Sequence, residues 1–311
     1  MGRPHVWLWI GAIGAAVLIA GLGLTHFAAP PTQSTSSRVV HDMNGREVRI
    51  PSQPAHILSL CTSATDTLLR LGQGKRLAAI DEYSKVVPGT EGFPLVGKGA
   101  AISREEIIAR RIDLAFVWWF QDDVIATLEQ ISVPCVKISN VRLSEVDAMI
   151  RFVADCMNCP HEAQRLVAAL NPTTQPAAGP ARPRVYLEMY GPFKTVGGDC
   201  YVNDLLEQAG LSNIVSERTG GLLLSREELI QADPDVVLFV REFTSAKSIA
   251  ERAGLAGLRA VQAGRVYPLD RRWLVAGAGW SDAVAAIRAA ATHDKSPVSG
   301  GQTVTEKTNA Q

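Results

Sequence analysis

The sequence predicts an α/β protein of two related lobes, each with a central, mostly parallel sheet, and a long helical stretch between them. Three observations carry this. Short apolar runs of strand length alternate with stretches of helical periodicity, which is the pattern of βαβ units. One segment of the first half returns in the second: Ile102 to Val117 aligns without gaps on Leu224 to Phe239, identical at six of sixteen positions. Each copy reads as a Ser-capped helix with carboxylates in its first turn, then a turn and a buried strand. Between the two halves, Ser144 to Leu170 keeps helical spacing at Val146, Met149, Ile150 and Val153.

The N-terminus stands apart from this pattern. Val6 to Phe27 is a run of 22 mostly apolar residues without Asp, Glu, Lys or Arg. As a helix it would span about 33 Å, enough to cross a bilayer. Arg3 and the α-amine precede it, which places the N-terminus in the cytoplasm and the bulk of the chain outside. A retained anchor and a cleaved signal peptide compete for this segment. The length of the run and the poor cleavage site at Phe27-Ala28-Ala29-Pro30 favour the anchor. The expected organisation is a signal-anchor at 1–29, a linker at 30–38, a first lobe at 39–143, a connecting helix at 144–172, a second lobe at 180–292 and a disordered polar tail at 293–311.

Within the first lobe, Val39 to Asp42 and Glu47 to Ile50 flank Asn44-Gly45, a hairpin signal. Strands are expected at Ile57 to Leu60, Leu77 to Ile80, Leu95-Val96, Leu114 to Val117 and Cys135 to Ile138. Helices are expected at Ser63 to Leu71, Glu105 to Arg111 and Val124 to Gln130. Ser144 is placed to cap the connecting helix. Pro160 should break or kink it, since proline is tolerated best in the first turn of a new helix. A second α/β region runs from Arg184 to about Ala291.

Composition excludes several functions. Lys plus Arg equals Asp plus Glu at 31 each, so no charge excess points to nucleic acid. There is no G-x-S-x-G elbow and no H-E-x-x-H, and the six histidines are scattered. Gly92 to Lys98 opens like a phosphate-binding loop but carries Gly99 where Ser or Thr should hold magnesium. The five cysteines include Cys156-Met-Asn-Cys159, a redox-like spacing with no second pair to complete a zinc site. The sequence therefore predicts a binding protein, with no catalytic residues, bound metal or cofactor, and a monomer. A CxxC redox protein and a tethered ligand sensor are the rival classes.

The residues also carry a resemblance. Asn44-Gly45, Ile50-Pro51, Pro54, Ile57 to Leu60, Ser63 to Asp66 and Leu71-Gly72 resemble the opening of the class III periplasmic substrate-binding proteins of ABC importers. Val96-Gly97, Ile102-Ser103 and Asp113-Leu114 continue the match. Val196 to Asp199, Asn203 to Leu206, Ala209-Gly210, Asn213, Asp233 to Val236 and Ala263 to Tyr267 look like the family's second-lobe signature. The resemblance implies two α/β lobes joined by a single long helix, with the ligand held between them. It implies a metal chelate as ligand (an iron–siderophore or a corrinoid such as cobalamin, with haem as the alternative). It further implies delivery to a permease and its ATPase at the periplasmic or extracytoplasmic face. It also implies that one exposed carboxylate per lobe docks the permease, and the echoed segments put Glu105 and Glu227 in those places.

Ligands of parallel α/β sheets sit outside the carboxyl ends of the strands. Those ends carry Cys61 to Ser63, Glu82-Tyr83, Trp118 to Phe120, Tyr190 to Phe193, Arg241 to Phe243 and Arg271 to Trp273, of which Ser63, Tyr83, Trp118, Trp119, Tyr190, Arg241 and Trp273 are the expected ligand contacts, in a chain with only 6 % aromatics. Aromatic faces suit a large chelate, and an arginine suits its anionic oxygens. Because Trp118 and Trp119 are adjacent on or just past a strand, only one of them is expected to face the cleft.

Overall fold

The computed structural model describes residues 36–99, 101–170 and 182–292. The expected anchor at 1–29, most of the linker and the tail at 293–311 lie outside the described residues. Among the described residues, no helix is long and apolar enough to cross a membrane.

The chain enters through an antiparallel hairpin, β1 (Ser37–His41) and β2 (Glu47–Pro51), turning at Gly45 with φ 79°. The buried Asp42 organises it. Its carboxylate accepts from the Asn44 and Arg46 amides, both at 3.0 Å, and from the Lys137 amide at 3.2 Å, which ties the hairpin to the first lobe. That lobe runs β3 (Ile57–Ser59), α1 (Thr62–Arg70), β4 (Leu77–Ile80), β5 (Gly97–Lys98), β6 (Ala101–Ile102), α2 (Arg104–Ala109), β7 (Leu114–Trp118), α3 (Asp122–Gln130) and β8 (Cys135–Ile138). Its four-stranded parallel sheet has the order β4-β3-β7-β8. The strand expected at Leu95-Val96 is reduced to one bridge between Leu95 and Ile80, because Pro94 and Gly97 close off both sides of it.

The connecting segment corrects the single long helix. It is a 3-10 turn, Leu143–Glu145, followed by α4 (Val146–Cys156) and α5 (Pro160–Ala169). Ser144 is not the cap; the Glu145 carboxylate accepts the Arg142 amide at 2.7 Å instead. Asn158, at φ 53°, ends α4 in the left-handed region, and the Cys159 amide donates back to the Ala154 carbonyl at 2.9 Å. Pro160 then opens α5 at its first position. The Cys-Met-Asn-Cys-Pro stretch is thus a helix stop followed by a helix start.

The second lobe runs β9 (Arg184–Glu188), β10 (Lys194–Val196), α6 (Tyr201–Gln208), β11 (Ser212–Asn213), β12 (Gly221–Leu223), α7 (Arg226–Ala232), β13 (Val236–Val240), α8 (Ala246–Ala250), α9 (Arg259–Gln262), β14 (Val266–Leu269) and α10 (Trp280–Thr292). Its parallel sheet has the order β11-β9-β13-β14. By chain order, both sheets read second, first, third, fourth. The sequence echo maps onto this identity. Ser103 and Ser225 cap α2 and α7, accepting from the Glu106 and Glu228 amides at 3.2 and 3.1 Å. Asp113 accepts the Ala55 and His56 amides at 2.7 and 3.0 Å, just before β3. Asp235 accepts the Arg184 amide at 2.8 Å, at the start of β9. Each aspartate ties the third strand of its sheet to the first.

One apolar core runs through both lobes. Ile57, Phe116 and Ile138 of the first sheet and Val185, Leu238 and Leu269 of the second belong to the same buried cluster, with α1, α4, α6 and α10 between them. Two smaller cores back the outer faces, one per lobe. The two lobes are thus joined by this shared core as well as by the connecting segment.

The paired aspartates give a stability prediction. Removing the Asp113 carboxylate leaves two backbone donors to water at an exposed site, so Asp113→Ala should cost about 1–2 kcal/mol. Asp235→Ala should behave alike, both read from urea denaturation midpoints.

Candidate ligand-binding cleft

The carboxyl ends of the two sheets face a common cleft. A hollow of ≈ 540 Å³ lies deep in it and a more open one of ≈ 960 Å³ at its mouth. Both are lined by Thr62, Trp118, Trp119, Asn140, Tyr190, Phe243 and Arg271. Thr62 follows β3, Trp118 ends β7, Asn140 follows β8, Tyr190 follows β9, Phe243 follows β13 and Arg271 follows β14. Residues of both lobes therefore meet there because parallel strands all end on one side.

Buried polar groups brace these ends. On the first lobe, the Thr65 hydroxyl lies 2.8 Å from the Ser59 hydroxyl and 3.0 Å from that of Ser84. The buried Asp81 carboxylate accepts the Ser84 amide at 2.9 Å, holding the turn that carries Tyr83; burial pushes this carboxyl up. On the second lobe, the Glu188 carboxylate is fully buried at the end of β9. It accepts from both Arg252 Nη atoms at 2.5 and 2.8 Å, from the Tyr186 hydroxyl at 3.1 Å and from the Phe193 amide at 3.0 Å. This clamps a loop in which Tyr190 and Phe193 both hold positive φ, 61° and 60°. Such backbone is costly for aromatic residues and persists only where the surroundings enforce it. Gly197 and Gly198 border the same region. A Cβ on either would lie 2.0 or 1.9 Å from the carbonyl oxygens of Arg218 and Ser216, so the glycines are required by close chain approach.

The walls are aromatic, and the mouth carries two cations, Arg271 and Lys98, and one carboxylate, Glu82. Phe120 stacks near-parallel on Trp118 at 6.4 Å and meets Trp119 edge-on at 5.4 Å. Tyr190 and Phe243 pack at 5.6 Å. The Arg271 guanidinium, on the second lobe, sits 5.6 Å from the Tyr83 ring centre of the first lobe and 5.9 Å from that of Phe243. Lys98 Nζ is 5.7 Å from the same Tyr83 ring. Neither cation makes an ion pair among the described residues.

The lobes are held at this spacing by two polar contacts. Arg142 forms a two-pronged ion pair with Asp204 of α6, one hydrogen bond being 2.8 Å, and the Leu143 amide adds another at 2.9 Å. On the far side, Asp66 and Arg70 of α1 pair at 2.9 Å and press against Gly277 and Gly279, where a Cβ would come within 2.5 Å and 2.8 Å of them.

Of the expected contacts, Ser63, Tyr83, Trp118, Trp119 and Tyr190 line one hollow or both. Both tryptophans do so, against the expectation of one, because β7 ends at Trp118 and strand alternation stops there. The Ser63 hydroxyl itself is buried and has no hydrogen-bond partner among the described residues. Arg241 lines neither hollow. It is exposed at the start of a turn in which the Phe243 amide donates to the Val240 carbonyl at 3.0 Å, and this turn brings Phe243 back to the cleft. Trp273 faces a separate hollow of ≈ 170 Å³ beside Asp66 and Arg70. Arg271 and Trp273 share a 3-10 turn, Arg271–Leu274, whose side chains fan about 120° apart, so only Arg271 points into the cleft. Arg271, Phe243, Phe120, Asn140 and Lys98 were not among the expected contacts. Lys98 ends β5 and the other four stand within three residues of a strand end, the signal that could have found them.

Glu105 and Glu227 are exposed in the first turns of α2 and α7. Hydrogen bonding from Arg226 holds the Glu227 carboxyl below the usual range. Among the described residues there is no group of three or more His, Cys, Asp or Glu placed to hold a metal. Cys156 and Cys159 are buried free thiols of the shared core. Burial, with Asp155 beside it, pushes Cys156 up to about 12, so it is a thiol and not a thiolate at neutral pH.

Comparison with known proteins bears on this geometry. Residues 57–272 match a family model described as periplasmic binding protein. The chain is 23 % identical over 289 residues to YvrC of Bacillus subtilis, an uncharacterized ABC transporter substrate-binding lipoprotein, across 86 % of this chain and 90 % of the relative. It is 24 % identical over 200 residues to a vitamin B12-binding protein of Pectobacterium atrosepticum, across 60 % and 71 %. In fold it is similar to the periplasmic haem-binding protein RhuT of Roseiflexus sp. RS-1, with a TM-score of 0.65 and 24 % identity, across 76 % and 99 %.

The thiols give a second prediction. Cys200 lines the deep hollow and is the one cysteine not fully buried, so iodoacetamide should label it first in the native protein. Burial raises its pKa, which keeps it protonated near neutrality, so its rate should still be rising above pH 9. Cys61, Cys135, Cys156 and Cys159 should react only after denaturation, as read by peptide mass mapping.

Proposed function

Since the chain belongs to the periplasmic binding protein family, we propose that its cleft captures a large, partly anionic metal chelate and passes it to a membrane permease. The protein is the substrate-binding component of an ABC transporter, acting on the extracytoplasmic side, and its relatives are transport proteins, not enzymes. The observation that carries the ligand class is the aromatic box closed by Arg271. Rings from both lobes offer apolar faces, while two cations without ion-pair partners among the described residues wait at the mouth. A siderophore complex or a corrinoid offers the matching surface, a broad body with peripheral oxygens. The vitamin B12-binding relative adds weight to a corrinoid. Haem is the second reading, favoured by the near-parallel Trp118 and Phe120, which suit a flat ring system. The buried, protonated thiols weigh against redox work by Cys156 and Cys159.

Titration of ferric citrate, a hydroxamate siderophore, cyanocobalamin and haemin against intrinsic tryptophan fluorescence tests this. One of them should quench strongly through Trp118 and Trp119. Arg271→Ala should weaken an anionic ligand by about 1.5–3 kcal/mol, the range for a hydrogen bond to a charged group. Arg241→Ala should leave affinity unchanged. No binding by any of the four would remove the chelate reading.

Glu105 and Glu227 are proposed as the docking carboxylates, one per lobe, facing basic residues of the permease. The support is their equivalence in the echoed segments and their exposure. Glu105→Gln with Glu227→Gln should abolish cellular uptake and leave ligand affinity intact. Loss of affinity in the double variant would count against docking.

A further inference from the structure

We infer that Ile108 and Ile230 are the apolar anchors of the two permease-docking faces. This rests on the docking reading of Glu105 and Glu227 and adds a contact to it. Each isoleucine stands three residues after its glutamate, hence on the same face of a one-turn neighbour. Ile108 is 59 % exposed and Ile230 is 40 % exposed, in a fold whose aligned partners one residue earlier, Ile107 and Leu229, are wholly buried. Packing explains the buried pair. It does not explain an exposed isoleucine at the same place in both lobes, and neither residue reaches the cleft.

The surroundings fit a partner with matching charge. Glu105 makes no ion pair among the described residues, its carboxylate meeting only the Ser103 hydroxyl at 3.2 Å. Glu227 is held ionised by Arg226. Glu227 itself lines a shallow, open hollow of ≈ 380 Å³ together with Phe193, Arg226, Arg252 and Ala253. Exposed ion pairs alone contribute little to binding, because water competes for both charges. Interfaces hold through a buried apolar centre with charges around it. A glutamate with an isoleucine one turn on supplies both parts, and supplies them twice. The fitting partner is a permease surface that presents a basic side chain beside an apolar one in two equivalent copies.

A photo-crosslinking amino acid placed singly at 105, 108, 227 and 230, and at Arg165 as a control, tests this in whole cells without knowledge of the ligand. Crosslinks from 108 and 230, but not 165, to the permease subunit of an ABC importer identified by mass spectrometry are expected. In a second arm, Ile108→Ser with Ile230→Ser should cut the crosslink yield from 105 and 227 at least fivefold. Crosslinks from 105 and 227 alone, or an unchanged yield in the serine variant, would overturn the role of the isoleucines and leave the carboxylates standing. No crosslink to the permease from any of the four sites would remove the docking reading itself. Crosslinks from 108 and 230 to a second copy of this chain would overturn the inference in favour of self-association.

Discussion

Everything in the cleft depends on parallel strands ending together. A parallel sheet sends every strand's carboxyl end to one side, and the order second, first, third, fourth parts the outgoing loops of the first and third strands. In the first lobe Thr62, at the start of α1, and Trp119 follow those strands; in the second Tyr190 and Phe243 do. Strand register thereby becomes site geometry. Asp113 and Asp235 hold that register by tying third strand to first, which explains why the same aspartate occurs in both copies of the echoed segment.

The lobes are coupled more firmly than a lone connector would allow. The turn at Met157 to Cys159 splits that connector, yet α1, α4, α6 and α10 bury one continuous apolar core between the two sheets. Arg142 with Asp204 and the Asp66–Arg70 pair against Gly277 and Gly279 pin its edges. Opening the cleft widely would tear this core and strand buried charges, both costly. Small adjustments at the cleft mouth, where Arg271 meets Tyr83 through an aromatic face, are the motion the packing leaves open.

Local signals explain how much of the site was legible. Strand ends can be read from apolar runs, so Tyr83, Trp118, Trp119 and Tyr190 stood out. What the runs leave open is the direction of a side chain once the strand has stopped. Arg241 and Phe243 lie two residues apart on one loop, and a single turn hydrogen bond decides which enters the cleft. Arg271 and Trp273 are likewise separated by the pitch of a 3-10 turn.

By itself the sequence determined the α/β alternation, the doubling of the lobe, the hairpin at Asn44-Gly45 and the helix break at Pro160. Each rests on interactions between residues near in the chain: periodic burial, capping, turn preference and the missing proline amide. Only the tertiary structure decided that Arg271 and Lys98 share Tyr83, that one core spans both lobes, and that Cys156 and Cys159 are buried in that core. Those outcomes depend on residues far apart in sequence, such as Tyr83 and Arg271, whose distance is set by the packing of whole sheets and leaves no trace in local pattern.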